Sequence, residues 1–195
     1  HIRKNNICSS YGDWLSINAD TPKDVISTAM FAHVSRLMAD IADWLGKTSD
    51  AEKYNQLSDD IRAAFIKAFV IEDGRVKGDT HTCYVLALNF NLMPENLRSK
   101  AIQYLVDDIH NRDDHLSTGF VGVSYLNPLL TTEGQNDLAY KLLFNKTFPS
   151  WCYAVEHGAT TIWERWDGWL EDKGFQDPGM NSFNHYAYGA IGQWL

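Results

Sequence analysis

Apolar positions recur along the chain at helical spacing, in segments that alternate between one-sided and all-round hydrophobicity. Ile26, Met30, Val34, Leu37, Ile41 and Trp44 step by three or four and predict one buried helix face. Thr21-Pro22-Lys23-Asp24 opens that helix with an N-cap hydroxyl, Pro at the first helical position and a carboxylate in the first turn. Gly46 suits its end. Ser49-Asp50-Ala51-Glu52 has the form of a capping box, and the helix behind it is expected to bury Tyr54, Leu57, Ile61, Phe65 and Phe69. Asp73-Gly74 between apolar residues predicts a tight hairpin turn. Residues 82–90 are apolar on nearly every side, as in a buried helix. Pro94-Glu95 starts a further amphipathic helix through Leu97, Ala101, Leu105 and Ile109. Residues 119–126 are again apolar and small, 135–144 return to the amphipathic type, and 184–192 read as a last buried helix.

Wet-faced helices thus alternate with buried ones. Antiparallel helix pairs set side by side produce this alternation, with the buried member of each pair lining an interior. No fixed repeat period is visible, so a closed toroid of helical hairpins fits better than an open solenoid.

Composition narrows the function. With 195 residues, 45 % apolar and 22 % charged, the chain is an ordinary globular one, and no run approaches the ~20 apolar residues of a membrane helix. A net charge of −8 argues against nucleic acid or an anionic membrane as partner. Residues 1–6 are basic with no apolar run behind them, so no signal peptide is expected there. Cys8, Cys83 and Cys152 are odd in number and widely spaced, which favours neither a disulfide framework nor a zinc site. Seven Trp are present, and four of them (Trp151, Trp163, Trp166, Trp169) crowd into one segment.

The densest part of it, residues 158–169, sets Glu164 between Trp163 and Trp166. Indole faces stack on the C–H patches of a pyranose, and a carboxylate handles a proton or water, so the arrangement suits sugar chemistry. The competing reading is a core edge closed by three Trp and an Arg-Glu pair, but carboxylates between Trp residues gain nothing from a core. Asp13-Trp14, in a loop before the first helix, repeats the theme, although Gly-Asp-Trp alone is more often a turn. His185, at the start of the last apolar segment, is either a sugar-hydroxyl ligand or a capped core His. His81 near Cys83 and His157 near Cys152 lack a second spaced pair, so no metal is expected. GxSxG, the P-loop and GxGxxG are all absent.

Gly12-Asp13-Trp14-Leu15 and the blocks at 117–122, 158–168 and 182–190 occur in the order found in bacterial α-L-rhamnosidases, and the chain resembles the C-terminal half of that family's catalytic domain. The resemblance implies an all-α fold, an (α/α)6 toroid of which this chain is only part, with residues 1–195 in one glycosidase catalytic domain. It implies hydrolysis of terminal α-L-rhamnose with inversion and Glu164 as general base. Trp14, Trp163 and Trp166 would shape the pocket, and His185 and Asp13 would hydrogen-bond the sugar. An inverting pair needs an acid ~6.5–9.5 Å from the base, and no residue here matches the family's acid-bearing motif. The partners implied are a rhamnose-containing oligosaccharide, polysaccharide or glycoside and the remainder of the catalytic domain upstream, with no cofactor. Seven or eight candidate helices agree with a partial toroid. Asp79-Thr80-His81-Thr82 stands where the resemblance implies a Gln-containing segment at the cavity rim, so His81 either alters the rim or is local variation. The alternatives are another (α/α)6 glycosidase or a polysaccharide lyase, or a non-catalytic helical carbohydrate-binding module. A lyase would favour Tyr, His and Arg around an acidic sugar, and a binding module would leave Glu164 without a use.

Overall fold

Two long helices, α1 (Lys23–Trp44) and α2 (Thr48–Phe69), set the pattern of the protein. The computed structural model describes Ile2 and residues 11–195; Cys8 and the rest of the N-terminal stretch lie outside the described residues. The described residues hold eight α-helices, a 3-10 turn and one two-residue hairpin. They divide into two compact units: 11–12 with 21–79 and 83–103, and 13–20 with 80–82 and 104–195.

In the first unit α1 and α2 pack as an antiparallel hairpin through Gly46, whose φ of +67° is the left-handed value that ends a helix at little cost to glycine. The face that α1 buries is not the one its large apolar residues predict. Of those residues Ile26 is buried and Met30 half-buried, but Val34, Leu37, Ile41 and Trp44 are exposed, Trp44 by 82 %, while Val25, Ala29, Ala32, Ala39 and Ala42 are buried. The helix carries two apolar stripes. The small one wins because alanines let α2 come close enough for the Ser58 hydroxyl to donate to Ala32 O at 3.2 Å. On α2, Ile61, Phe65 and Phe69 are buried as expected, while Tyr54 and Leu57 are only half-buried. Neither expected cap forms. Pro22 takes the N-cap position of α1 and Lys47 that of α2, both without a side-chain cap bond. The Asp73-Gly74 turn is present, with Val70 and Val76 bridged in antiparallel fashion across it.

α3 (His81–Asn89) is buried through residue 88, which agrees with its all-round hydrophobicity. α4 (Glu95–Asn111) buries Ala101, Leu105 and Ile109. In the second unit α5 (Val123–Thr132) packs on α6 (Asn136–Phe144), joined by Asn127 Nδ2 donating to Ala139 O at 2.9 Å. A short α7 (Trp151–Glu156) follows, capped by Ser150, whose side chain accepts the Tyr153 amide. The hairpin pairs β1 (Trp169–Leu170) with β2 (Gly174–Phe175). The expected last buried helix is not formed. Residues 182–186 are irregular, with backbone bonds to 162–164 in place of helical ones, Ala187–Ala190 make a 3-10 turn, and α8 (Ile191–Trp194) buries nothing.

The small stripe of α1 makes a measurable claim. Ala32→Leu should destabilise the protein by about 1–3 kcal/mol through overpacking against α2, whereas Val34→Thr on the exposed stripe should change stability by less than about 0.5 kcal/mol. Urea denaturation distinguishes the two. Equal effects would mean that α1 does not pack through its alanines.

Candidate active site

The second unit gathers the sequence-selected residues around two backbone pairings. In the first, the loop 13–17 lies against 117–122. Phe120 N donates to Trp14 O at 2.9 Å and Ile17 N to Ser117 O at 3.0 Å. The approach is so close that a Cβ on Gly119 would lie 2.2 Å from Trp14 O and one on Gly122 would lie 2.3 Å from Thr82 Oγ1. Only glycine fits at either place.

Asp13 sits inside this junction, 6 % exposed. Oδ2 accepts the Thr82 hydroxyl at 2.5 Å and the Gly119 amide at 2.8 Å, and Oδ1 accepts the Val121 and Gly122 amides at 2.8 and 3.2 Å. Burial pushes its carboxyl above the ordinary value, and the Thr82 hydroxyl and the three amides pull against that rise. Both Asp13 oxygens, expected from the sequence to hydrogen-bond a sugar, accept bonds from the chain itself. Its neighbour Trp14 is exposed.

In the second pairing, 161–164 runs beside 182–185. Glu164 N donates to Ser182 O and Ser182 N returns a bond to Glu164 Oε2, each at 2.8 Å. His185 N donates to Ile162 O at 2.9 Å, and the Thr161 hydroxyl reaches Phe183 O. Glu164 and His185 are therefore carried on two adjacent backbone segments in fixed register. Glu164 is half-exposed, so its carboxylate is accessible to water.

His185 stacks on Phe120 at 5.0 Å, tilted by 25°, and on Tyr186 at 5.2 Å. Its Nδ1 accepts the Ala187 amide at 3.3 Å, so the neutral ring carries its proton on Nε2. Tyr186 is 87 % exposed. Neither Phe120 nor Tyr186 was singled out by the sequence, where both read as core aromatics; the glycines at 119 and 122 were the available sign that the Phe120 backbone is pressed against another segment.

Trp163 and Trp166 are buried rather than displayed. Trp166 stacks on Tyr188 at 3.9 Å, meets Trp151 edge-on at 5.1 Å and donates from Nε1 to Thr118 O at 2.9 Å. Trp163 packs edge-on to Phe175 and Phe183. Arg165 pairs in bidentate fashion with Asp167 at 2.9 and 3.0 Å. The indoles on either side of Glu164 in sequence are thus part of the core.

His81 is fully buried, not at a rim. Its Nδ1 accepts the Ser117 amide at 3.2 Å, and its Nε2 lies 2.9 Å from Asp108 Oδ2, which also accepts Arg112 Nε at 2.8 Å. Burial holds His81 below the usual imidazole value, while Asp108 pulls it upward. The His81 bond, aided by Arg112, holds Asp108 down at about 2.

Residues 3–195 match the bacterial alpha-L-rhamnosidase six-hairpin glycosidase domain. The chain belongs to that family. An alpha-L-rhamnosidase of Streptomyces avermitilis is 55 % identical over 185 residues, which cover 95 % of this chain and 18 % of the relative. One from Formosa agariphila is 44 % identical over 196 residues, covering 96 % and 21 %. The crystal structure of the Streptomyces avermitilis alpha-L-rhamnosidase complexed with L-rhamnose matches with a TM-score of 0.92 at 54 % identity, over 95 % of this chain and 18 % of that one. The chain spans about a fifth of the length of these relatives. Its all-α fold is that of the six-hairpin glycosidase domain.

The buried His81 gives the rhamnosidase-family fold a defined acid response. Unfolded His81 takes up a proton below pH ~6.5, whereas the folded one, its value lowered, resists. Its contribution is complete above that pH and declines as pH falls. The depressed Asp108 adds a second loss only near and below its ordinary value of ~3.9. The thermal midpoint should therefore drop between pH 7 and 5. His81→Gln, which keeps an acceptor and a donor but does not titrate, should drop less. Parallel slopes for the two proteins would remove His81 from the acid response.

Proposed function

We propose that this chain carries the base-bearing part of an inverting α-L-rhamnosidase, acting on terminal α-L-rhamnosyl groups of an oligosaccharide, polysaccharide or other glycoside. The observation that carries the reading is the tethered Glu164. Its Oε2 accepts the Ser182 amide while the residue remains half-exposed between two buried tryptophans in the sequence. A carboxylate fixed at one oxygen presents the other, Oε1, to a water in a defined direction, as a general base requires. The membership of the chain in the rhamnosidase family, and the names of relatives 44–55 % identical to it, support rhamnose as the sugar.

In this mechanism Glu164, ionised, removes a proton from the water that attacks the anomeric carbon. A carboxylic acid outside these 195 residues, on the upstream remainder of the same catalytic domain, protonates the departing oxygen. Charge spreads over the ring in an oxocarbenium-like transition state. Trp14 and the Nε2–H of His185 face the sugar. Trp163 and Trp166 shape the pocket from beneath by holding the Glu164 segment against Tyr188 and Phe183. The exposed apolar stripe of α1 (Val34, Leu37, Ile41, Trp44) supports the view that 1–195 is one portion of a larger domain, since soluble proteins seldom leave such a row uncovered.

The test uses the full-length protein on an aryl α-L-rhamnoside, with other aryl glycosides beside it. Glu164→Gln should lower turnover by about 10²–10⁴-fold, the range for loss of a general base, with binding of L-rhamnose retained. NMR of the fresh product should show inverted anomeric configuration. Full turnover by Glu164→Gln removes the base assignment, retention removes the inverting scheme, and cleavage of a different sugar alone removes the substrate.

A further inference from the structure

We propose that Asp13 is a positioning residue of the sugar-binding face: its buried carboxylate locks the 118–122 turn to the loop bearing Trp14, and so fixes Trp14 and, through Phe120, the His185 ring. The proposal rests on the rhamnosidase reading for its ligand.

The geometry is that of a clamp. Four donors converge on two oxygens: three consecutive-turn amides from Gly119, Val121 and Gly122, and one hydroxyl from Thr82. The peptide between two of those amides carries Phe120, whose own amide goes to Trp14 O. Its ring stacks on His185 at 5.0 Å and lies edge-on to Tyr188 at 5.3 Å. On the other arm, Leu15 follows Trp14 at φ +62°, a left-handed conformation that costs a non-glycine residue ~1 kcal/mol or more. Its carbonyl accepts the Tyr188 hydroxyl at 3.3 Å. Strained backbone of this kind persists only where its surroundings over-determine it, and the Asp13 clamp is the adjacent constraint.

A carboxylate is the group this place requires. It accepts at both oxygens, whereas an amide accepts at one and turns two N–H groups toward amides that are themselves donors. Asp13→Asn therefore breaks one side of the clamp whichever way it is flipped. Thr82→Val removes a single donor, and Thr82→Ser restores it. The Glu164 tether uses Ser182 and none of these groups, so the damage should fall on binding of the sugar.

In the full-length protein, Asp13→Asn should raise KM for an aryl α-L-rhamnoside, and Kd for L-rhamnose, by about tenfold, with kcat changed far less. Thr82→Val should move both in the same direction by a smaller factor, and Thr82→Ser should return them to wild-type values. A second readout needs no substrate. The His185 ring protons, shifted upfield by Phe120 and Tyr186, should move toward unstacked values in Asp13→Asn and Thr82→Val when followed by NMR with labelled histidine. If Asp13→Asn does not fold, the Thr82 pair decides. Unchanged KM, Kd and His185 shifts in the folded variants would overturn the proposal even if their thermal midpoints fall. A wild-type protein that neither cleaves nor binds rhamnose would overturn the functional reading instead, and the His185 shifts would still decide the role of Asp13.

Discussion

A carboxylate taken out of water is tolerated only where donors replace its hydration, and at Asp13 those donors are backbone amides of a turn far away in sequence. This single requirement organises the second unit. The amides of Gly119, Val121 and Gly122 can converge on one side chain only if the 118–122 turn is folded tightly, and the turn can come that close only because Gly119 and Gly122 carry no Cβ. Thr82, at the start of α3, closes the last position. His81, one residue earlier, reaches Ser117 on the same segment. Two neighbouring residues of one helix thus anchor two neighbouring stretches of the turn, each through a side chain that is wholly buried.

The aromatic richness has a related cause. Indole N–H groups must be satisfied when buried, and the structure uses them as ties. Trp166 donates to Thr118 O and Trp151 to Tyr188 O, each at 2.9 Å. The Trp166–Tyr188 stack then joins the Glu164 segment to the chain's end. Large rings supply apolar area where short helices cannot. α7 has six residues and α8 four, too few to build a core from aliphatic stripes. The crowded Trp residues are largely the core of a unit poor in long helices, and they leave Glu164 at its surface.

Where a helix is long and its apolar pattern unambiguous, the sequence reads directly into structure, as with α3, α4 and the buried half of α2. α1 reads wrongly for a definite reason. Periodicity finds the stripe of large residues, but packing density favours the parallel stripe of alanines where two helices must approach closely. The segment 184–192 reads as a helix because its residues are apolar and aromatic, yet its start pairs sideways, His185 N with Ile162 O, and the rest forms only a 3-10 turn and a four-residue helix. At the candidate site, Glu164 and His185 could be named from their neighbours in sequence. Asp13 could be named too, but not its direction, since burial depends on glycines more than a hundred positions away. Phe120 and Tyr186 were hidden because an aromatic that stacks on a histidine and one that fills a core have the same local signature.

The two pairings differ in kind, and this difference divides the work of the site. Glu164 and His185 are registered by main-chain bonds: Glu164 N to Ser182 O, and His185 N to Ile162 O. Such bonds are indifferent to most side chains, so the spacing of these two groups is set by the path of the backbone. The Trp14–Phe120 face has main-chain bonds of its own, Phe120 N to Trp14 O and Ile17 N to Ser117 O, and adds to them a buried side-chain tie, Asp13. A pairing held by main-chain bonds tolerates most side-chain changes within it, whereas one that also depends on a buried carboxylate does not, because no neutral side chain offers both of its oxygens as acceptors to three amides and a hydroxyl.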